Sequence, residues 1–138
     1  MSELCREDIA DLFQYEMNAK GFNLTYKLGY QLYAHLDDLV ESKEYNLGGS
    51  RDPRKWQNEA KFSAFLGEAL RKAFGGIWEG DFSLEKTGGN YYTSCVSFNG
   101  YKVFPSHIIA HRISNGREDA PFEDLFDEVI SKIKSATE

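Results

Sequence analysis

The chain has 138 residues, of which 22 are acidic and 16 are basic, giving a net charge of −6, and 41% of the residues are hydrophobic. This size and composition are typical of a globular protein with one core, and we expect a single domain spanning residues 1–138. The sequence has no dense block of lysine and arginine, so we expect no binding to nucleic acid. It has no run of about 20 apolar residues, so we expect no membrane-spanning segment.

The N-terminal part, residues 1–75, is predicted to be helical. The first helix pattern covers residues 2–20, and Gly21 is placed to end it. Asn23 or Thr25 is the candidate cap of a second helix. The apolar stripe of that helix consists of Leu28, Leu32, Leu36, Leu39 and Val40.

A third helix is predicted to begin at Asp52-Pro53, because aspartate caps helices and proline suits the first helical position. Gly75-Gly76 ends it. Its apolar face is broad and contains small residues that allow close packing: Trp56, Ala60, Leu66, Ala69, Leu70, Ala73 and Phe74.

A small antiparallel sheet is predicted over residues 76–105. Residues 77–84 alternate between apolar and polar as a half-buried strand does. Residues 91–98 are rich in strand formers, and Asn99-Gly100 is a strong hairpin signal before a third strand at residues 101–104.

A two-residue hairpin turn fixes which residues of this sheet lie opposite each other. It places Phe98 opposite Tyr101 and Val96 opposite Val103, on one aromatic and β-branched face. Cys95 and Phe104 share the other face. We expect one of the two faces to meet the helices.

The C-terminal helices are predicted over residues 106–136. Ser106 is a candidate cap for a short helix, HIIAHRI, which ends before Asn115-Gly116. The last helix has an apolar stripe of Phe122, Leu125, Phe126, Val129, Ile130 and Ile133. The expected fold is therefore α+β, a three-stranded antiparallel meander packed on one face by three to four helices.

The first predicted strand provides a candidate binding surface. Its alternation places Glu79 and Asp81 on one face, with Glu85 just beyond, and Tyr91 and Tyr92 begin the next strand. Tyrosines mixed with carboxylates are typical of protein-binding patches. A solvent-facing strand of an acidic protein shows the same alternation without any binding role, and that interpretation stays open.

His107 and His111 are four residues apart, so they share one face of a helix, and this spacing can hold a divalent metal. Ile108 stands where a zinc-protease motif requires glutamate. A third ligand would have to come from His35, Cys95 or a carboxylate. The alternative is a pair of histidines that form hydrogen bonds or lie half exposed beside the sheet, and we expect no cofactor.

The two cysteines, Cys5 and Cys95, lie far apart in sequence and are expected to be reduced thiols. Cys95 is a candidate nucleophile with His107 or His111 as its base, but a cysteine in mid-strand is usually a small buried hydrophobe. The sequence does not begin with the cationic region and apolar run of an export signal. We therefore expect a cytoplasmic protein.

Several motifs occur in a fixed order over residues 66–130: LGEALRKAFGGIW, then a hairpin ending in KVFP, then HRISNGREDAPFEDLF. This order resembles small uncharacterised bacterial α+β domains, in which an LGE helix ends in Gly-Gly before a tryptophan strand. In these domains a later strand ends in proline and leads to Asn-Gly and a final helix. Some of them resemble proteins encoded beside toxin systems, where small acidic cytosolic proteins act as immunity factors.

These observations lead to an expected function and two alternatives. We expect a non-enzymatic protein-binding module, and the resemblance implies an immunity protein that neutralises a toxin through an acidic, tyrosine-bearing surface. One alternative is a small metal-dependent hydrolase that uses His107, His111 and the carboxylates of the first strand. The other is a subunit or adaptor whose sheet edge pairs with another chain. The sequence does not define an oligomeric state.

Overall fold

The computed structural model describes residues 6–42, 53–80 and 94–137, with side chains from residue 58 onward in the second range. The described residues form an α+β fold with an antiparallel meander in the order β1-β2-β3, so the predicted fold class is confirmed. The elements are α1 (Arg6–Ala19), α2 (Tyr30–Glu41), α3 (Pro53–Phe74), β1 (Ile77–Glu79), β2 (Cys95–Phe98), β3 (Tyr101–Val103), α4 (Pro105–Asp119) and α5 (Phe122–Thr137).

The hairpin between β2 and β3 has the predicted register. Phe98 pairs with Tyr101 and Val96 with Val103. Asn99 and Gly100 have φ values of 52° and 94°, and positive φ at both turn positions matches the right-handed twist of the flanking strands. This turn therefore sets which side chains of the sheet reach the core.

One face of the sheet meets the helices. Val96, Val103 and Phe98 are buried on that face, and α3 and α5 pack against it. The other face carries Ile77, which is 70% exposed on β1, and the exposed Lys102 on β3. The aromatic and β-branched face is thus the inner one.

Aromatic rings connect the helices. The Phe13 ring of α1 stacks on Phe62 of α3 with centroids 5.4 Å apart, and Tyr33 of α2 stacks on Phe126 of α5 at 4.8 Å. Such pairs stabilise a core beyond the area that they bury. The long helix α3 therefore packs against both α1 and α4, and α5 packs against α2.

The motif that carries the resemblance has a direct structural role. A Cβ atom at Gly67 would overlap the Trp78 ring, and one at Gly76 would overlap Val96 and Phe98. Glu68, the residue after Gly67, accepts a hydrogen bond of 3.1 Å from the Trp78 indole nitrogen. The LGE segment and the Gly-Gly-x-Trp segment therefore form one packed unit between α3 and β1.

Two helix starts differ from the sequence prediction. α2 begins at Tyr30 after Gly29, with no side-chain cap, so neither Asn23 nor Thr25 caps it. α4 begins at Pro105, whose fixed φ suits a first helical position, so Ser106 is not its cap.

The helix after Pro105 is interrupted where the sequence predicts a stop, because Gly116 adopts a non-helical φ of 80° and ψ of 168°. A second helical segment, which was not predicted, follows this kink and ends at Asp119. This kink allows Arg117, beyond it, to reach carboxylates of α2.

In the part of the chain that the structure describes, no helix has both the length and the apolar character required to cross a membrane.

Candidate binding surface

The loop that precedes α2 is anchored to α1. The Leu24 amide donates to the Asn18 side-chain oxygen at 2.7 Å, and Gln14 and Asn18 donate to the Leu24 carbonyl at 2.9 and 3.1 Å. Leu24 itself is fully buried. These hydrogen bonds anchor Leu24 to α1, six residues before α2 begins at Tyr30.

Tyr30 is 72% exposed and stands between two recesses. The first, which we call the α2 recess, has a volume of about 470 Å³ and is lined by Lys27, Leu28, Gln31 and His35 among others. The second, the α2–α5 recess, has a volume of about 220 Å³, and its lining includes Tyr33, Asp37, Arg117, Pro121 and Glu123. Tyr30 lines both recesses.

A buried ion pair forms the floor beneath this surface. Arg112 of α4 and Asp37 of α2 are both buried and approach to 2.6 Å. Asp37 also accepts a hydrogen bond of 3.3 Å from the Phe122 amide at the start of α5. One carboxylate therefore fixes α2, α4 and the first turn of α5 relative to one another.

Arg117 adds a second, exposed group of ion pairs. Its guanidinium lies 3.2 Å from Asp38 and 3.2 Å from Glu41, and Glu41 also lies 3.2 Å from Arg112. The charge of Arg117 is thus balanced by two carboxylates of α2. Such exposed pairs contribute little to stability but define where charge lies on a surface.

Two carboxylates of α5, Glu123 and Asp127, complete the electrostatics. Both are exposed, and neither forms an ion pair within residues 6–42, 58–80 and 94–137. Burial raises the pKa of Tyr33, and the charges of Asp127 and Glu123 raise it further. Glu123 thus adds a negative charge to the lining of the α2–α5 recess, beside the paired Asp37 and Arg117.

The strand residues predicted to form a binding surface are only partly described. Glu79 is exposed on the outer face of the sheet, and its carboxylate lies 3.6 Å from the Lys102 ammonium. Asp81, Glu85, Tyr91 and Tyr92 lie outside the described residues, so the strand surface stays a prediction.

The two histidines of α4 lie on an exposed part of the helix. His107 and His111 are both exposed, and the His107 ring stacks on Phe104 with centroids 5.1 Å apart. His35, considered as a third ligand, lines the α2 recess instead. Within the described ranges, no group of three or more histidine, cysteine, aspartate or glutamate side chains is placed to hold a metal ion.

Cys95 is a buried free thiol. Burial raises its pKa, and the Glu79 carboxylate raises it further, while Lys102 and Arg6 act in the opposite direction. A raised pKa disfavours the thiolate, which is the nucleophilic form. This environment is that of a structural cysteine.

Neither Tyr30 as a site residue nor the ion pair beneath it was predicted from the sequence. The sequence holds a signal for one partner alone, because Arg112 comes four residues after Ile108 and three after Ile109 and so shares the apolar face of α4. A cation on a face that should be apolar indicates burial with a partner but does not identify Asp37 as that partner. The exposure of Tyr30 had no comparable signal.

Comparison of the chain with protein-family models, with curated proteins and with solved structures gives no match. The function is therefore argued from the surface itself.

Proposed function

We propose that the protein is a non-enzymatic protein-binding module whose contact surface centres on Tyr30. The observation that carries the proposal is the 72% exposure of this tyrosine at the first residue of α2, between two recesses. Tyrosine is enriched at interface hot spots because it offers a large apolar ring with a polar tip.

The charge around Tyr30 supports a basic partner. Glu123 and Asp127, which form no ion pair with the residues that the structure describes, lie at one side, and the chain has a net charge of −6. Opposite charge accelerates the encounter of two proteins and loses this effect at high salt. We therefore propose a protein with a basic surface as the partner.

The resemblance of residues 66–130 to small bacterial α+β domains makes a toxin the first class of partner to test. In this proposal the protein is an immunity factor that covers a basic groove of the toxin. The strand surface with Glu79, Asp81, Glu85, Tyr91 and Tyr92 is a second proposed contact.

Site-specific photo-crosslinking in the native host tests the binding function. A benzophenone amino acid replaces Tyr30 in one variant and Tyr15 in a control, because Tyr15 lies on α1 and is 74% exposed. In a third variant the benzophenone amino acid replaces Glu79, to test the strand surface. We expect a discrete adduct from position 30 and none from position 15, with a yield that falls as salt is raised. The absence of an adduct at both 30 and 79 would contradict the proposal, as would identical adducts at 15 and 30.

A further inference from the structure

We propose that the α2–α5 recess receives one arginine side chain of a partner protein. This inference rests on the proposed function and specifies the chemistry of the contact. The recess lies beside Tyr30 and is separate from the strand surface that the sequence predicted. Its size, aromatic wall and charge each favour a guanidinium.

The size of the recess suits one side chain. Its volume of about 220 Å³ is below the roughly 300–1,000 Å³ of typical small-molecule sites. Tyr30 and Pro121 line it together with Glu123, so an apolar stem and a charged end can both be accommodated. Arginine and lysine are the long side chains that have an apolar stem and a positively charged end.

The charge of the recess is negative after its internal pairs are counted. The charged residues in its lining are Asp37, Glu123 and Arg117, which are two carboxylates and one guanidinium and sum to a net charge of −1. Arg117 is held by Asp38 and Glu41, and Asp37 is held by Arg112 and the Phe122 amide. Glu123 is the remaining acceptor in the lining.

Arginine fits better than lysine for two reasons. A planar guanidinium stacks on an aromatic face and also binds a carboxylate through two parallel hydrogen bonds. Tyr30 supplies an exposed ring and Glu123 supplies the carboxylate. A lysine ammonium is more strongly hydrated, so its transfer into the recess costs more.

Titration of the isotopically labelled full chain with short blocked peptides tests this inference by NMR. The probes are acetyl-Gly-Arg-Gly-amide, the same peptide with lysine, and the same peptide with citrulline, which keeps the shape of arginine without its charge. We expect saturable shifts of the Tyr30, Ala34 and Glu123 amides with the arginine peptide, weaker ones with lysine and none with citrulline. Raising the salt concentration is expected to weaken the binding.

Matched variants locate the contact. Tyr30→Ala and Glu123→Gln are each expected to lower the affinity for the arginine peptide by roughly twofold to fivefold. Tyr15→Ala and Glu128→Gln are expected to leave its affinity unchanged, because Tyr15 lies on α1 and Glu128 pairs with Lys132 at 3.2 Å. Tyr30 and Glu123 are exposed, so the variants should fold, and their NMR spectra check this directly.

Three results would overturn the inference. The first is that the arginine and citrulline peptides shift the amides equally, and the second is that the shifts spread over the acidic faces of both α1 and α5. The third is that the recess amides shift when the protein concentration alone is raised, which would assign the recess to a second copy of the chain. An adduct at position 30 without peptide binding would reject the arginine contact and leave the binding function standing. Saturable arginine binding without an adduct at positions 30 and 79 would reject the binding function and leave the recess chemistry standing.

Discussion

The indole nitrogen of Trp78 donates a hydrogen bond of 3.1 Å to the carboxylate of Glu68, which is completely buried. Arg71 also donates to this carboxylate, at 3.0 Å to its second oxygen, and this hydrogen bond raises the pKa of Arg71. Burying a carboxylate is costly unless donors surround it. Glu68 therefore depends on Trp78 and Arg71, and through Trp78 it ties α3 to β1.

Replacement of Glu68 by alanine tests this unit. Glu68→Ala removes the acceptor of both Trp78 and Arg71, and we expect the free energy of unfolding to fall by about 1–3 kcal/mol. Urea denaturation measures the loss. Glu128→Ala is the control, since its side chain is 62% exposed, and a change within about 0.5 kcal/mol is expected there. Similar losses in the two variants would contradict the role assigned to Glu68.

A methyl group at Gly67 should be destabilising although it favours the helix. Gly67→Ala should stabilise α3 by about 1 kcal/mol through helix propensity alone. The added Cβ overlaps the Trp78 ring, and overpacking typically costs about 1–3 kcal/mol, so we expect a net loss. In a Trp78→Ala background the overlap is absent, and the same substitution should be stabilising. Unfolding of the four proteins in urea measures both effects, and a Gly67→Ala effect of the same sign in both backgrounds would contradict the close approach.

The ion pair beneath the binding surface should be sensitive to removal of one partner. Arg112→Met leaves Asp37 buried without its cation, and we expect a loss of about 3–5 kcal/mol in the free energy of unfolding. Adding Asp37→Leu should recover part of this loss, because no unpaired charge is then buried. Arg117→Met is the exposed control and should cost at most about 1 kcal/mol. Equal losses for the two arginine variants would show that burial of the pair does not matter.

The Tyr26 hydroxyl should make stability fall at alkaline pH. Burial raises its pKa above the ordinary 10.0, and the hydrogen bond to Asp11, 2.7 Å long, and the charges of Asp11 and Glu68 raise it further. The folded protein therefore keeps this proton where the unfolded chain loses it. The contribution of Tyr26 to stability is complete below pH 10 and is lost progressively above it.

Urea unfolding at several pH values between 9 and 11 measures this effect. Above the unfolded pKa, one such group contributes a slope of up to about 1.4 kcal/mol per pH unit. Tyr26→Phe should remove this component, and Asp11→Asn should reduce it because the hydrogen-bonded charge is gone. A slope in Tyr26→Phe equal to that of the wild type would contradict the assignment.

Local sequence signals were sufficient for much of the fold. Asn99-Gly100 determined the hairpin register, because a two-residue turn with positive φ permits only one pairing. Gly75, with φ 78°, ends α3 as predicted, and its amide donates to the Arg71 carbonyl at 2.7 Å. In contrast, α2 begins after Gly29 without a side-chain cap, so the capping residues Asn23 and Thr25 did not locate its start.

The binding surface could not be predicted because it depends on how distant segments pack. Tyr30 is exposed and Tyr33 is buried, although both flank the same leucine stripe. The difference arises because α5 covers Tyr33 through Phe126 and leaves Tyr30 uncovered. Asp37 and Arg112 are 75 positions apart, and their types indicate a pair only after the two helices are known to meet.

The contacts of Arg6 have a consequence for the order of events during synthesis. Its guanidinium donates to the carbonyls of Glu79 and Gly80 and to the Ser94 hydroxyl, which are 73, 74 and 88 positions later in the chain. A ribosome makes the chain from its first residue, so these acceptors do not yet exist when α1 emerges. The first helix therefore lacks the backbone part of this anchor until Glu79 and Gly80 have been made, and the Ser94 contact until residue 94 has been made.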